Sequence, residues 1–336
     1  MKNVSCWFLL LVTLGFTRVG AWATEDNEPN KIVRVVTVSE ALLGDSSDRF
    51  GDMMVRLDQA AGFHPDIACL PEFFSNRPPE PVPGPTSDRL AAWATAHSAY
   101  VIFGMKRKVG ERTYNSAILI DRKGRVAGIY DGIHPDELQL KEGATPGNIL
   151  DPPIFQTDFG AIGVLICFDV EWWDLWKRLK EKGAKIVFWP SAFPATRQLT
   201  ALALKNQFYI VSSTLRGTSA IYDITGEILS SSGEYHQWAG AIVPMDKRLL
   251  ETDFNLEKLH QAEQKYGSKI QIVWFHDDDW FTLASLDPHL RVEDIMSEFG
   301  LIPQDQYHIR STKAIDKARN DAHNAVPHVV LRHRKL

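Results

Sequence analysis

The stretch AIGVLICFDVEWWDLWKRLKEKGAKIVFWPSAF, residues 161–193, decides the fold class. Its apolar run Ile162–Ile166 is typical of a fully buried parallel strand. Apolar residues at helical spacing follow, and the helix they predict ends at Gly183, a common residue after a helix C-terminus. A second apolar strand begins at once. The stretch therefore predicts a strand–helix–strand unit of an α/β protein.

Cys167 lies where the first of these strands gives way to the helix. Side chains at such turns lie at the carboxyl edge of a sheet, where α/β proteins bind ligands, and the N–H groups entering the helix favour negative charge. A thiol in this place can be a nucleophile with a favoured thiolate. It can equally be a core thiol, because free cysteine is among the most buried residue types. Position alone leaves both interpretations open.

Composition indicates a globular protein with a large core. The chain has 336 residues, 44% of them hydrophobic, and a formal charge of -5. A net charge this small and negative does not indicate a protein that binds nucleic acid. We interpret the basic segment 331–336 as a solvated tail. Neither an internal repeat nor a Gly/Ser linker is present. One domain with a C-terminal extension after about Val243 is the simplest organisation.

Residues 1–23 resemble a secretory signal peptide. Lys2 precedes an apolar run, Cys6–Phe16, and AWA at Ala21–Ala23 offers a small-x-small cleavage site. We therefore predict a mature protein that begins at Thr24 and is exported, either to the periplasm or from the cell. The apolar run is too short to span a membrane, so no membrane span is expected after cleavage. An uncleaved anchor is the alternative.

Cleavage after Ala23 leaves two cysteines, Cys69 and Cys167. Cys69 lies inside the apolar segment DIACLPEFF, and a chain of this size needs no covalent cross-link. We therefore predict a core thiol at Cys69 and a free thiol at Cys167, and we expect Cys167 to be alkylated faster. A disulfide between the two is the alternative.

The rest of the chain alternates strands with helices, which predicts an α/β architecture with two antiparallel hairpins added. Strands are predicted within 31–40, 66–74, 99–108, 114–130, 161–169, 185–192, 208–217 and 219–232, and helices over 50–62, 86–97, 171–182 and 197–207. Further helices are predicted within 255–267 and 291–300.

Four segments, in order and spacing, resemble the nitrilase superfamily of carbon-nitrogen hydrolases: CLPEFF around Glu72, GRVAGIYDGIHP…TPG over 124–147, FGAIGVLICFD around Cys167 and FWPSAF over 188–193. The ordered set is far more specific than any one segment. The resemblance favours the nucleophile interpretation of Cys167. It implies that residues 31–243 form the hydrolase domain and residues 244–336 an extension that covers a sheet edge or contacts a second subunit.

The resemblance also implies a four-layer α-β-β-α sandwich. Two such subunits usually pair into a homodimer, in which the two sandwiches make one layered α-β-β-α-α-β-β-α body. The implied reaction is hydrolysis of a non-peptide amide or nitrile. Glu72 matches the general base of the family, Cys167 the nucleophile, and Phe168 the residue whose backbone N–H stabilises the oxyanion.

Two positions depart from the family pattern. The segment that typically reads Tyr-x-Lys-x-His is YDGIH here, so Gly132 occupies the position of the catalytic lysine. Counting back from TPG places Gln139 at the supporting glutamate, with Glu137 and Glu142 as displaced candidates.

Three interpretations follow. A lysine from elsewhere supplies the missing charge, with Lys141 as the candidate from the same loop and Lys106 or Lys205 as others. Alternatively, the enzyme works slowly with backbone donors alone, since loss of one oxyanion donor costs about 10² to 10³ in rate. In the third, the fold serves as a ligand-binding or assembly protein without catalysis.

Other chemistry has weaker support. HDDDWF at 276–281 matches no metal-binding spacing and favours a polar turn before a strand, so we predict neither a metal nor a cofactor. Trp172 and Trp173 are candidates for the substrate pocket or for helix packing. His134 is a candidate near the site, either as a structural hydrogen-bonding group or as half of a papain-like Cys–His pair, although the signature of that class is absent.

Overall fold

A computed structural model of the protein describes residues 32–40, 47–148 and 150–325. The predicted signal peptide and the basic segment 331–336 lie outside the described residues. In chain order, the first twelve strands are β1 (Ile32–Val38), β2 (Ile67–Cys69), β3 (Tyr100–Val109), β4 (Arg112–Ile120), β5 (Val126–Asp131), β6 (Ile154–Thr157), β7 (Gly160–Val164), β8 (Ile186–Ser191), β9 (Tyr209–Thr214), β10 (Ala220–Tyr222), β11 (Ile228–Ser231) and β12 (Trp238–Pro244).

These strands form two six-stranded sheets. The first has the order β12-β1-β2-β3-β4-β5, and the second has the order β11-β10-β9-β8-β7-β6. The centre of each is parallel, β1-β2-β3 in one and β7-β8-β9 in the other. Antiparallel strands complete both sheets. The predicted mixture of a parallel centre and added hairpins is confirmed.

Five helices belong to this part of the chain: α1 (Arg49–Ala61), α2 (Pro85–His97), α3 (Glu137–Lys141), α4 (Trp173–Glu181) and α5 (Thr196–Asn206). Alternate residues of β1 show how the layers arise. Val36 and Val38 pack under α1 and α2, whereas Val33 and Val35 face the core that the two sheets share with α4 and α5. A strand buried on both faces needs a layer on each side. The result is the predicted α-β-β-α sandwich.

The main local difference from the predicted elements lies at the thiol. The helix predicted over 171–182 is preceded by a 3₁₀ turn, Cys167–Glu171, and α4 begins only at Trp173. The strands β6 and β12 and the short helix α3 were not predicted.

The C-terminal extension forms a smaller layer with its own core. It contains β13 (Lys247–Glu251), α6 (Leu256–Tyr266), β14 (Ile270–Phe275), β15 (Trp280–Ser285), α7 (Val292–Phe299) and α8 (Gln304–Ala325). Its three strands pair in the order β13-β15-β14 around buried residues such as Leu259 and Phe281. Residues 276–279 of the HDDDWF segment form the turn between β14 and β15, and its last two residues begin β15. The domain boundary after Val243 stays a prediction.

Among the described residues, no helix combines the length and the apolar character that a membrane span requires.

Candidate active site

Cys167 lies at a sharp turn after β7. Its backbone is in the left-handed region, with φ 42°, and it begins the 3₁₀ turn. The Trp189 indole N–H donates to the Cys167 carbonyl oxygen at 3.0 Å, which fixes the turn against β8. A strained conformation of this kind persists only where the surroundings hold it. The fold therefore presents the Cys167 side chain at the carboxyl edge of the second sheet.

The Cys167 thiol is almost buried and faces the Glu72 carboxyl. Burial raises the pKa of Cys167 well above its usual range, and the charge of Glu72 raises it further, while contacts with Ala192 and Ser191 oppose the shift only in part. The resting group is therefore a thiol, which differs from the thiolate expected at a helix start. Cys69 and Cys167 are both free, so they do not form the alternative disulfide.

Glu72 follows β2 and is 1% exposed. Its position depends on Gly104 of β3: a Cβ at position 104 would lie 2.6 Å from the Glu72 Cα, so only glycine allows this approach. Asn115 Nδ2 donates to Glu72 Oε1 at 2.5 Å, and Gln139 Nε2 donates to the same oxygen at 3.3 Å. Among the described residues, Oε2 has no well-aligned hydrogen-bond partner.

Burial raises the pKa of Glu72 to about 7, although the hydrogen bonds from Cys167, Asn115 and Gln139 oppose the shift. Among the described residues, the groups that most oppose this cost of burial are neutral hydrogen-bond donors rather than cations. Near neutrality the group is therefore poised between its two protonation states, as a general base and acid must be.

Asp169 holds the turn in place and was not singled out from the sequence. It is fully buried. Its carboxylate accepts from Tyr130 Oη at 2.7 Å and from the Ile166 N–H at 3.0 Å, and it contacts His134 Nδ1 at 2.9 Å. The thiol-bearing turn is thus tied to the end of β5 by one buried carboxylate.

A cavity of about 310 Å³ opens onto the Cys167 and Glu72 side chains. Phe73, Pro79 and Leu138 supply apolar lining, and Lys106 is the only lysine or arginine among the described residues that line it. The space accommodates a small molecule and excludes a folded protein substrate. Among the described residues, no group of three or more side chains has the arrangement of a metal site.

The candidate residues in the segment 137–142 fall into two groups, those that reach the site and those that lie in solvent. Gln139 contacts Glu72, as its register predicts, and Glu142 lines the cavity. Lys141 and Glu137 instead lie in solvent, 76% and 92% exposed, and contact each other at 3.8 Å. Their side chains point outward because α3 is a short surface helix with no buried residue. The interpretation in which Lys141 supplies the missing charge, one of the three left open, is therefore corrected.

Gly132 follows β5, and its N–H donates to the Asn115 carbonyl oxygen at 2.8 Å. Its φ lies outside the left-handed region, and a Cβ there would lie 3.3 Å from Asn115 O and 3.9 Å from Ile166 Cβ. A side chain at 132 would therefore point toward the turn that carries Cys167. Phe168 is the second residue of that turn, where helix N–H groups lack intrahelical partners.

The aromatic residues after the thiol do not take the pocket-lining role, which was one of their two interpretations. Trp172 and Trp173, 36% and 43% exposed, and His134 do not line the cavity. The 3₁₀ turn carries the indoles past the cavity to the surface, where the His134 ring stacks on Trp172 at 3.6 Å. His134 contacts Asp169 rather than the thiol, which favours its structural role. Lys205 lies over the Trp173 ring, outside the cavity.

Asn115 is the other functional residue that sequence reasoning missed. Its side chain bridges Glu72 and Gln139, with Nδ2 3.3 Å from Gln139 Oε1. A polar residue inside an otherwise apolar strand, YNSAILI, was the available signal.

Comparisons with known proteins agree with this architecture. Residues 35–246 match the carbon-nitrogen hydrolase family. An omega-amidase of Xenopus tropicalis is 27% identical over 237 residues, which are 62% of this chain and 83% of the relative. A deaminated glutathione amidase of Synechocystis is 28% identical over 148 residues, 37% of this chain and 54% of the relative.

Solved structures show the same fold. An amidase from Nesterenkonia sp. matches with a TM-score of 0.56 at 18% identity, covering 70% of this chain and 97% of that one. A carbon-nitrogen hydrolase from Helicobacter pylori matches with a TM-score of 0.55 at 17% identity, covering 70% of this chain and 93% of that one. Because the family match spans more than half of the sequence, the chain belongs to the carbon-nitrogen hydrolases, the family of amidases and nitrilases that cleave carbon–nitrogen bonds other than peptide bonds.

Proposed function

We propose that the protein hydrolyses a small non-peptide amide or nitrile through a thioester on Cys167, with Glu72 as general base. The observation that carries this proposal is the buried contact between the Cys167 thiol and the Glu72 carboxyl at the cavity. The relatives named omega-amidase and deaminated glutathione amidase support an amide as the substrate class.

In the first half of the reaction with an amide, Glu72 takes the thiol proton as Cys167 Sγ attacks the carbonyl carbon. The negative charge that develops on oxygen is stabilised by the Phe168 N–H, a donor already in place. The C–N bond then breaks as Glu72 returns the proton to the departing nitrogen. The products are ammonia or an amine and a thioester.

In the second half, Glu72 takes a proton from water as the water oxygen attacks the thioester carbon. Collapse of the intermediate releases the carboxylic acid, and the proton returns to Cys167 Sγ. The raised pKa of Glu72, about 7, suits a group that accepts and donates the same proton in one cycle.

We further propose that the activity is weakened relative to the family pattern, because Gly132 leaves the family's lysine position without an ammonium. The alternative is a ligand-binding protein of the same fold without turnover. The fact that favours it is the pair of departures, Gly132 and Gln139, which together remove a cation and an anion from the pattern.

The test is incubation with a panel of small amides and nitriles, followed by intact-mass and peptide mass spectrometry. We expect an acyl adduct on Cys167 and release of ammonia or amine, both lost in Cys167→Ala. Cys69→Ala is the matched control and should retain the adduct. Reversible binding of panel members without an adduct or product would establish the alternative.

Export and pairing are proposals as well. The signal-like residues 1–23 support export. The exposed indoles of Trp172 and Trp173 offer apolar surface that supports a homodimer. Sedimentation of the purified protein would measure its oligomeric state.

A further inference from the structure

Three residues on neighbouring strands form one row across the first sheet. Lys106 of β3 is directly opposite Asn115 of β4. Gly132 continues the register of β5, since Ser116 pairs with Asp131 and the Gly132 N–H donates to the Asn115 carbonyl oxygen. Side chains opposite each other in antiparallel strands point to the same face. The row Lys106–Asn115–Gly132 therefore faces the site, with Asn115 at its centre.

The position of Gly104 on β3 also indicates that Lys106 faces the site. Gly104, two residues before Lys106, faces the same side of β3, and the Glu72 backbone packs directly on it. Lys106 is therefore the next side chain on the face that carries the base. The Cα atoms of positions 106 and 132 are two strand spacings apart, about 10 Å. A lysine at either end of the row can extend its four-carbon stem toward the space around Asn115.

The Lys106 side chain lines the cavity and is the only cation among its described lining residues. Its Nζ lies 5.4 Å from the centre of the Phe73 ring, and Phe73 is the neighbour of Glu72. An aromatic face attracts an ammonium without neutralising it. Among the described residues, no carboxylate forms an ion pair with Lys106, so its charge is available to a ligand.

The charges that line the cavity favour stabilisation of an oxyanion, rather than binding of a substrate carboxylate, as the role of the Lys106 ammonium. Glu72, Asp136 and Glu142 also line the cavity, so carboxylates outnumber the single cation. A substrate that brought its own carboxylate would meet repulsion from these groups. An oxyanion that develops only during the reaction, beside Cys167, is stabilised by a positive charge in the same cavity.

Resting on the proposed function, we propose that Lys106 is a catalytic residue that stabilises the oxyanion from β3, at the opposite end of the row from the family's lysine position. The protonated Nζ donates a hydrogen bond to the carbonyl oxygen as Cys167 Sγ attacks, and it keeps its proton throughout. Electrons return from this oxygen when the C–N bond breaks.

The decisive variant is Lys106→Met, which keeps the length of the side chain and removes the charge. We expect kcat to fall by about 10² to 10³ with KM little changed, because the lost interaction belongs to the transition state. Inhibition by the aldehyde analogue of the substrate amide, which forms a hemithioacetal oxyanion on Cys167, should weaken by a similar factor. Lys108→Met, two residues along the same strand and exposed, is the matched control and should leave both values unchanged.

Moving the charge back along the row is the second test. Adding Gly132→Lys to the Lys106→Met protein should raise its kcat at least tenfold, because the two ends of the row face the same space. The Gly132 backbone has no left-handed φ to strain, and its Cβ needs only a small shift of the Asn115 carbonyl. Circular dichroism and thermal unfolding identify a variant that fails to fold, in which case Lys106→Met decides alone.

The possible results distinguish a failure of the Lys106 role from a failure of the proposed function. Full activity and full aldehyde inhibition in Lys106→Met would overturn the role of Lys106 while leaving the Cys167 hydrolase intact. A rise in KM confined to amides that carry a carboxylate, with kcat unchanged, would show that Lys106 binds substrate charge and would also overturn the proposal. A native protein that forms no Cys167 adduct with any panel member would refute the proposed function, and the role of Lys106 would fall with it.

Discussion

Glu72 should destabilise the folded protein at alkaline pH, and Glu72→Gln should remove the cost. Burial raises the pKa of this carboxyl from 4.5 to about 7. The folded state therefore binds the proton more tightly than the unfolded chain, so the free energy of unfolding falls as pH rises from about 4.5 to about 7. At about 1.4 kcal/mol per pKa unit, the full cost is about 3 kcal/mol, most of which develops between pH 5 and pH 8.

The glutamine variant retains an oxygen that accepts from Asn115 and Gln139 but carries no charge at any pH. Urea unfolding of both proteins at pH 5 and pH 8 measures the effect. We expect the variant to gain about 2 to 3 kcal/mol over the native protein between these two pH values. The comparison between proteins is essential, because burial also raises the pKa of Glu40 to about 7 and both proteins share that contribution.

Glu142→Gln is the matched control, because Glu142 lines the same cavity at its exposed side. This variant should follow the native pH dependence. The variant Glu72→Gln should also lose hydrolysis, since the base is gone, so greater stability and lost activity should appear together. An equal stability difference between variant and native protein at pH 5 and pH 8 would refute the reasoning.

Three further predictions concern the same site and the chain terminus. The kcat/KM for an amide should fall about tenfold per pH unit below about 7, because Glu72 must be ionised to accept the thiol proton; a profile that stays level down to pH 5 would contradict the assignment. Iodoacetamide should label Cys167 faster than Cys69, since Cys167 lines the cavity and Cys69 is fully buried, and peptide mass spectrometry should show unequal labelling. The mature protein should begin at Thr24; an intact Met1 in the cytosolic fraction would exclude export.

Local patterns predict most of the fold because most strands and helices of the sandwich have their own signal. Apolar runs such as Ile162–Ile166 identify the buried strands, and the spaced motifs identify Glu72 and Cys167 as a pair. Gln139 could be placed beside Glu72 by counting back from TPG. These predictions succeeded for two reasons. Each strand or helix is short enough to be read from a local pattern, and the order of the motifs along the chain indicates which strand ends lie together.

The contacts around the pair could not be predicted in the same way. The row through Asn115 depends on the registers of β3 with β4 and of β4 with β5, and one residue of slip would turn each side chain to the other face. The sequence left Trp172 and Trp173 as candidates for either the substrate pocket or helix packing. The left-handed φ of Cys167 and its 3₁₀ turn change the direction of the chain before α4 begins.

Because Gly104 packs closely against Glu72, a substitution at position 104 can disrupt the site even when Glu72 and Cys167 are both retained. Gly104→Ala would add one methyl group, yet the 2.6 Å approach leaves it no room unless the Glu72 backbone retreats. A retreat of this size breaks the alignment of carboxyl and thiol that proton transfer requires. In natural variants of this chain, a glycine in the middle of β3 is thus expected wherever the proposed pairing of Glu72 and Cys167 is kept.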